Sequence, residues 1–344
     1  MSSLPYLNLA GFVTKCGVFL TVLTNSLLIH LTWYHVKNIT ITYKCLIILM
    51  AGLGIVFNMI EILLHPFVHS YNSSFIFFSN SMLFGNQTSG TALLTVYTIN
   101  YMLIICCLAI QFIYRSFVVL SRSSLKWFRG WRISIWILYI AFFLVIWLPA
   151  LSLILPDEYS NRYISQEYAL NYEEDVGFVP SYQIVAYDQN QRLRISNFIG
   201  LIGLGSVLSA QYIVMIYCGF KIHHGIRSKA RVTSPIIHRL QRQLLHTLLL
   251  QLTVPSIFYN TPLILVYIVP YLNLTVSFPS GVMVCFFSLY PATDSLILMS
   301  MVAEYYQVIQ RKFAKCIHDV SEWSRAVVEE GDGTVNETVE RVDN

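Results

Sequence analysis

The sequence predicts an all-α membrane protein, a bundle of seven transmembrane helices. Hydrophobic residues make up 56% of the 344 positions and charged residues 12%, whereas a typical soluble domain has about 25% charged residues. Seven apolar stretches are long enough to cross a bilayer, and basic residues concentrate in alternate connections between them. Because so little charge is available for a water-facing surface, we expect the lipid bilayer to be the surroundings of this chain.

Each predicted span meets the length requirement of a transmembrane helix, about 20 apolar residues that each rise about 1.5 Å. In chain order the spans cover residues 16–33, 45–64, 92–114, 133–155, 195–220, 244–269 and 275–302. The N-terminal segment lacks the positively charged start and the cleavage site of a secretory signal peptide. We therefore expect the first span to remain in the mature protein as a signal anchor.

The basic residues predict the orientation in the membrane. Eighteen of the 22 Lys and Arg residues fall on one side, and the other four are Lys15, Arg162, Arg192 and Arg194. Since cytosolic loops retain Lys and Arg during insertion, the N-terminus is predicted outside the plasma membrane. The predicted organisation is an extracellular segment 1–15, a seven-helix domain 16–302 and a cytoplasmic tail 303–344. The tail is expected to be disordered from about residue 321, because it is polar and acidic.

The connecting segments contain candidate modification sites. Asn72 and Asn86 begin N-x-Ser/Thr sequons on the first external loop and are candidate glycosylation sites. Cys316 follows a short basic amphipathic stretch and is a candidate palmitoylation site, with a free cytosolic thiol as the alternative. The second external loop, residues 156–194, is acidic and rich in tyrosine. We expect a solvated loop there, with a lid over a pocket as the alternative.

Two acidic residues lie inside predicted spans, where a charge costs about 2.5–3.5 kcal/mol. Glu61 lies in the outer third of the second span and is a candidate ligand contact. Asp294 lies in the inner third of the seventh span, after Tyr290 and Pro291. Since proline permits a bend, this segment is a candidate switch. The alternative is that Asp294 holds helices together by bonding to polar groups such as Asn25.

The sixth and third spans contain further candidates for conformational switching. Pro255 and Pro262 interrupt the sixth span, and Gln251 precedes Pro255 by one turn. Such prolines can act as hinges or serve packing alone, and both interpretations stay open. The third span ends in Tyr114 and Arg115 at the cytosolic boundary. This arginine either reaches a cytosolic partner or extends to the lipid headgroups.

The outer halves of three spans predict a ligand pocket. Thr91, Thr95, Thr98 and Met102 share one helical face, because they follow the spacing i, i+4, i+7 and i+11. The residues at comparable depth on the sixth and seventh spans are Tyr259, Asn260, Phe278 and Met283. This mixture of apolar surface with a few polar groups suits a small, mainly apolar ligand, and packing is the alternative for each residue.

Sequence signatures of enzymes, cofactors and metal sites are missing. The chain has no HExxH, no GxSxG elbow and no P-loop. His65 and His69 have i, i+4 spacing, but Pro66 lies between them, so we expect no metal. The seventh span has no lysine to hold a retinal Schiff base. We expect no enzymatic activity and no cofactor, and the net charge of +4, segregated by loop, does not imply nucleic acid.

Several motifs resemble those of the nematode serpentine chemoreceptors, particularly the Str family and its Srj relatives, over roughly residues 25–306. The motifs are TYKCL at 42–46, Pro66 with His69, FIYR at 112–115, LQRQLL at 240–245 followed by Gln251, Val254, Pro255 and Pro262, and YPATD at 290–294. Two positions depart from the family pattern. Ser295 follows Asp294 where the family often has proline, and Gln307 follows Tyr306 where the family often has arginine.

The resemblance implies a seven-helix bundle of the G-protein-coupled receptor type. Such a receptor binds a small odorant or pheromone-like ligand and activates a heterotrimeric G protein, and the resemblance suggests the cilia of chemosensory neurons as its location. The positions that it assigns to coupling and switching are Tyr114, Arg115, Gln251, Pro255, Tyr290, Pro291 and Asp294. The alternative classes are a ligand-gated channel and a transporter. Insect odorant receptors have the N-terminus inside, against the charge distribution, and the repeated halves of many transporters are not visible here.

Overall fold

Helices make up most of the chain and form the predicted bundle. The structure, a computed structural model, describes residues 4–36, 39–81, 86–228, 234–257, 261–272, 274, 277–278, 282–312, 314–315, 317–318 and 320–323. The helices are α1 (Leu4–Tyr34), α2 (Ile41–Leu64), α3 (Gln87–Leu120), α4 (Ser134–Ser152), α5 (Glu158–Tyr172), α6 (Ile195–Ser228), α7 (Pro235–Pro255), α8 (Thr261–Ile268) and α9 (Val282–Met301). The predicted Cys316 and most of the predicted disordered tail lie outside the described residues.

Within the described residues, five segments are long and apolar enough to cross a membrane, judged by length and composition. They are Pro5–Tyr34, Ile41–Leu64, Gln87–Leu120, Gly130–Ser152 and Ile195–Ser228, and they match the first five predicted spans. The predicted sixth span is divided between α7 and α8, since α7 ends at Pro255. Since proline lacks an N–H, Pro255 cannot donate to the carbonyl one turn earlier, which weakens the last turn of α7. The seventh span corresponds to α9, which contains Pro291.

The first helix begins well before the predicted residue 16. Its outer turns are helical from Leu4, and Ala10 is buried while Leu7 and Val13 contact an external hydrophobic cluster. An apolar face on these turns therefore packs against folded protein. Helix α1 is therefore longer than the predicted span, and the boundary of the span within the membrane stays a prediction.

Helix α3 runs through the centre of the bundle. Its residues from Ile104 to Phe112 are all buried, and it packs chiefly against α6 and α2. Helices α1, α2 and α9 form a second group of closely packed neighbours, whereas α4 packs mainly against α6 and much less against α3. A helix that is apolar on all sides belongs in a membrane or a large core, which agrees with the position of α3.

A four-stranded antiparallel sheet covers the end of the bundle that the charge distribution predicts to be extracellular, which is called the outer or external end below, and the opposite end is called the inner end. The strands are β1 (Pro66–Tyr71), β2 (Ser74–Ser79), β3 (Ser181–Val185) and β4 (Ser277–Phe278), in the order β3-β2-β1-β4. A two-residue turn at Asn72 and Ser73 joins β1 to β2. Asn72 has φ of 47° there, in the left-handed region that asparagine tolerates better than most residues.

Helix α5 lies over the sheet and completes an external cap, defined here as β1 to β4 with α5. A capping box between Asp157 and Ser160 starts this helix. Every residue of β3 is buried. The interpretation of residues 156–194 as a solvated loop is therefore wrong, because they form the packed helix α5 and the buried strand β3, while the acidic residues lie on α5, at its ends and in the turns that follow. Helix α5 buries Ile164, Tyr168 and Tyr172.

Candidate functional site

The external cap presents aromatic side chains to the bundle. Alternate residues of a strand point to opposite faces, so Phe75 and Phe77 of β2 pack with the bundle core while Ile76 and Phe78 pack under α5. The Phe77 ring centroid lies 6.2 Å from that of Tyr97 on α3. Sequence reasoning missed these residues because both faces of β2 are apolar, which hides the alternation.

More aromatic rings converge below the sheet. The Tyr97 ring stacks on Phe57 of α2 with centroids 4.5 Å apart, and Phe75 lies 5.0 Å from Tyr267 of α8. Tyr101 meets Phe287 of α9 edge to face at 5.9 Å. Aromatic side chains of this kind supply large apolar contact surfaces with hydroxyl groups at their tips. The outer half of the bundle can therefore accommodate an apolar ligand that makes a few polar contacts.

Only part of the predicted outer site comes together. Thr91 and Thr95 line a cavity of about 570 Å³ between α3, α4 and the cap. Thr98 Oγ1 lies 3.5 Å from Trp147 Nε1, and Met102 is fully buried in the bundle core. Tyr259 and Asn260 lie outside the described residues, and so do the side chains of Phe278 and Met283.

A buried histidine links three elements of the cap. His69 Nδ1 of β1 lies 3.0 Å from the Tyr172 hydroxyl of α5, and Nε2 lies 3.6 Å from a Glu167 carboxylate oxygen. The same oxygen accepts a hydrogen bond from Ser277 of β4. Burial lowers the pKa of His69 below its ordinary value, although the charge of Glu167 acts in the opposite direction. His69 is therefore held neutral near pH 7.

Glu61 lies inside the bundle and not on an open pocket surface. The side chain is fully buried, and one carboxylate oxygen accepts a hydrogen bond from Ser288 of α9. Asn58, one turn away, donates to Thr21 of α1 at 2.7 Å and to the Ser288 carbonyl at 2.8 Å. These contacts tie α1, α2 and α9 together in the outer half of the bundle. A ligand would reach Glu61 only if neighbouring side chains moved.

The second acid inside the bundle, the half-buried Asp294, pairs with another predicted residue. Gln251 Nε2 of α7 donates to Asp294 Oδ1 at 2.9 Å. Asn25, the expected alternative partner, donates to the Ala51 carbonyl of α2 at 3.0 Å and accepts from Ser295. A polar contact thus joins α7 to α9 close to Pro255 and Pro291, where both helices are interrupted. Tyr290 is buried in the bundle core nearby.

Arg115 lies at the inner end of α3, over an aromatic ring. Its guanidinium carbon is 3.6 Å from the centroid of Tyr43 on α2, and Tyr43 in turn stacks on Tyr114 at 5.7 Å. The Tyr114 hydroxyl lies 2.6 Å from Thr40 Oγ1. Among the described residues, Arg115 Nε and Nη2 are buried and have no hydrogen-bond partner. Arg115 is therefore held mainly by stacking on Tyr43, and sequence reasoning did not identify this partner.

Basic side chains border the inner end of the bundle. A cavity of about 600 Å³ lies in the segment that connects α3 to α4 and is lined by Lys126, Arg129 and Arg132 with apolar and small residues. Arg132 also lies over the ring of Trp127, 5.7 Å from its centroid. The last turn of α6 adds Arg227. This surface suits a cytosolic partner that presents acidic groups or a helix C-terminus.

The remaining candidates lie apart from these clusters. Asn72 is at the β1–β2 turn, and Asn86 caps the N-terminus of α3 by accepting a hydrogen bond from the Thr88 N–H at 3.0 Å. Whether either asparagine carries a glycan stays a prediction. Within the described ranges no group of three or more His, Cys, Asp or Glu side chains is arranged to hold a metal ion.

Comparisons with known proteins agree on one kind of molecule. The family described as serpentine type 7TM GPCR chemoreceptor Str matches residues 10–310. The "G-protein coupled receptor str-33" of Caenorhabditis elegans is 40% identical over 296 residues, which cover 83% of this chain and 86% of that protein. The "Serpentine receptor class r-10" of the same species is 25% identical over 315 residues, 90% of this chain and 92% of that protein.

A solved structure supports the same fold. Squid rhodopsin aligns with a TM-score of 0.54 over 92% of this chain and 87% of its own chain, at 13% sequence identity. At this identity the likeness concerns the fold alone. It agrees with a seven-helix bundle in which α7 and α8 together make the sixth span and α9 makes the seventh.

Proposed function

This chain belongs to the serpentine type 7TM GPCR chemoreceptor family Str, and on that premise we propose that it senses a small odorant or pheromone-like molecule outside the cell. The ligand binds in the outer half of the bundle, and the inner end then activates a heterotrimeric G protein. The observation that carries the coupling half of this proposal is Arg115, buried over Tyr43 beside a basic surface. Membership of this family favours the receptor over the channel and the transporter, for which no observation speaks.

The proposed switch uses contacts that can break and re-form. Signalling requires two arrangements of the bundle that the ligand stabilises differently. The Gln251–Asp294 hydrogen bond joins α7 to α9, and Pro255 and Pro291 interrupt the hydrogen-bond ladders on either side of it. A shift of the outer ends would therefore change this contact first. Movement of α7 and α9 then opens the inner end, where the G protein binds.

Arg115 is proposed as the group that meets the G protein. In the arrangement described here its guanidinium is stacked on Tyr43, and the two unpartnered N–H groups carry an energetic cost because they are buried. A partner carbonyl or helix C-terminus at the inner face would satisfy them. The Tyr43 ring thus holds Arg115 in the resting receptor, and release from the ring is part of activation.

The proposed setting is the plasma membrane of ciliated sensory endings, with the N-terminus outside. The distribution of Lys and Arg between alternate loops supports this orientation, and the location in cilia rests on the family. An epitope tag at the N-terminus of intact cells tests the orientation directly. Staining without permeabilisation is expected, and staining of a C-terminal tag under the same conditions would contradict it.

A signalling screen tests the function. Cells that express the receptor with a promiscuous G protein are exposed to volatile and excreted metabolites, and second-messenger responses are recorded. We expect at least one compound to give a saturable response that Arg115→Ala abolishes while surface staining stays within a few-fold of the parent. A normal response of a normally expressed Arg115→Ala receptor would remove Arg115 from the coupling site.

A further inference from the structure

We infer that the cavity between α3, α4 and the external cap binds an alkyl alcohol, a molecule with an apolar chain and one hydroxyl group, which reaches it through the bilayer. The inference rests on the proposed function, because it names the ligand class and the binding place of that same receptor. The cavity has a volume of about 570 Å³, within the range of small-molecule sites in proteins. Its two walls differ in chemistry.

The α4 wall is apolar. It is formed by Leu148 and Leu151 of α4 and by Leu155 just beyond the end of the helix; Leu151 is buried, Leu148 is 40% exposed and Leu155 is 43% exposed. The one polar member, Ser152, uses its hydroxyl to donate to the Pro149 carbonyl at 2.7 Å. Since the three leucines follow one another at nearly helical spacing, they form a continuous strip along the outer end of the fourth span. Burial of an alkyl chain on this strip stabilises the complex by about 25 cal/mol for each Å² removed from water.

The α3 wall carries a hydroxyl pair with a defined direction. Thr95 Oγ1 donates its single hydrogen to the Thr91 carbonyl at 2.8 Å. The hydrogen of the Tyr182 hydroxyl must therefore be the one between Tyr182 and Thr95, whose oxygens are 2.7 Å apart. This leaves the lone pairs of the Tyr182 oxygen as acceptors at the cavity wall. A ligand that donates a hydrogen bond can use this acceptor, whereas a ketone or an alkane has no hydrogen to donate to it.

Asn161 of α5 adds a donor at the same place. Its amide oxygen accepts a hydrogen bond from Gln183 at 2.9 Å, so the amide NH₂ group is the part that can serve a ligand. Asn161 lines the cavity together with Tyr182. A hydroxyl group can donate to Tyr182 and accept from Asn161 at once. That complementarity selects an alcohol over other apolar molecules.

The surroundings favour access from the membrane. Strands β2 and β3 are almost completely buried and cover the bundle on its aqueous side. The rim of the cavity has exposed apolar residues, Ala92 of α3, Leu148 of α4 and Leu155 just after α4, beside the exposed polar residues Gln87, Thr88 and Ser152. Helix α4 packs mainly against α6 and less against α3, and the cavity lies between α3 and α4. An alkyl alcohol concentrates in the bilayer at this depth.

Photolabelling of the full-length receptor in lipid nanodiscs tests the inference without any G protein. The probe is a decanol analogue with a diazirine on its alkyl chain, and labelled peptides are identified by mass spectrometry. We expect labelling on the peptides that contain Thr91 and Leu151, and competition by decanol but only weakly by decane. Leu148→Trp should remove the competable labelling, whereas Val145→Trp, on the same helix and 72% exposed to lipid, should leave it unchanged.

A second variant tests the hydroxyl contact. Tyr182→Phe keeps the ring and removes the acceptor, so competition by decanol should weaken roughly five-fold, as expected for the loss of about 1 kcal/mol from one hydrogen bond. Equal labelling of the two tryptophan variants, or equal competition by decane and decanol, would overturn the inference and identify the occupant as a lipid chain. If labelling follows the prediction while no compound signals in cells, the proposed coupling fails and the binding site stands.

Discussion

Gly54 permits close contact among three helices at the middle of the bundle. A Cβ atom at this position would lie 2.7 Å from Pro291 Cβ of α9 and 2.8 Å from Asn25 Nδ2 of α1. Real Cβ atoms do not approach other atoms so closely, so any larger residue would force the helices apart. The contact matters because Asn25 bridges α1 to α2 and Pro291 interrupts the helix proposed to move.

Gly54→Ala is therefore expected to lower the free energy of unfolding by about 1–3 kcal/mol, the usual cost of an extra methyl group in a packed core. Thermal unfolding of purified receptor and surface expression both measure this effect. Gly52→Ala is the matched control on the same helix, since nothing lies within 4 Å of its Cβ position. It should be neutral or slightly stabilising. Equal losses in both variants would show that the close contact is not decisive.

The sequence identifies some functional candidates as single residues but does not reveal the side chains that they contact. Glu61 and Asp294 were singled out correctly as polar groups inside spans, because a carboxyl group in a transmembrane segment is costly and needs partners. Their partners Ser288 and Gln251 could not be predicted as contacts, since each comes from a helix far away in sequence. The stacking of Arg115 on Tyr43 was missed for the same reason.

At the scale of elements, the seven spans were predictable and the external cap was not. Hydrophobic length identifies transmembrane helices, whereas short strands buried on both faces lack the alternation that identifies strands in water. Six of the 14 residues at 66–79 are polar, but five of them are grouped at 69–74 and do not alternate with apolar residues, so no periodic pattern identifies β1 and β2 as strands. Helix α5 does carry a sequence signal, because Asp157 and Ser160 have the spacing of a helix start.

The cap should be sensitive to acid through His69. Its pKa in the folded protein lies below the ordinary value of 6.5 because the ring is buried. The neutral His69 ring is therefore the form that stabilises the folded cap. Its contribution to the free energy of unfolding is fully present when the pH is above the ordinary pKa of 6.5, and it is lost as the pH falls through the lowered pKa. Hydrogen exchange of β1 and α5 should therefore accelerate when the pH is lowered from about 7.5 to about 5, beyond the intrinsic effect of pH on exchange.

His69→Gln provides the control for this prediction. Glutamine keeps hydrogen-bonding groups near Tyr172 but does not titrate, so the acid sensitivity of the cap should diminish. The groups that face His69 are Tyr172 and Glu167, and Ser277 shares the Glu167 carboxylate. The same loss of protection in parent and variant would assign the acid response to Glu167 or to another group.

At the scale of the whole molecule, the cap and the basic inner surface lie at opposite ends of one helix bundle. Buried polar contacts recur between them, from Glu61 and Ser288 in the outer half to Gln251 and Asp294 and then to Arg115. These contacts join α2 to α9, α7 to α9 and α3 to α2. The fold class and the family could be predicted from the spans, the charges and the motifs. The series of polar contacts from the outer to the inner end of the bundle could be seen only in the structure.

In the proposed mechanism, the inner end of the bundle activates a G protein through Arg115, and the Tyr43 ring restrains Arg115 in the resting receptor. A cation–π contact of this kind contributes about 2 kcal/mol when buried, which corresponds to a shift of more than tenfold between two states. Tyr43→Phe keeps the aromatic face, Tyr43→Leu removes it, and both preserve an apolar side chain at a buried position. These variants need no identified ligand.

The most direct measurement is nucleotide exchange on a purified heterotrimeric G protein, catalysed by the receptor in nanodiscs without ligand. Tyr43→Leu should raise the exchange rate above that of the parent, Tyr43→Phe should match the parent, and Tyr43→Leu combined with Arg115→Ala should return the rate to that of the G protein alone. Exchange by the double variant as fast as by Tyr43→Leu, or a folded Tyr43→Leu receptor no faster than the parent, would contradict the account.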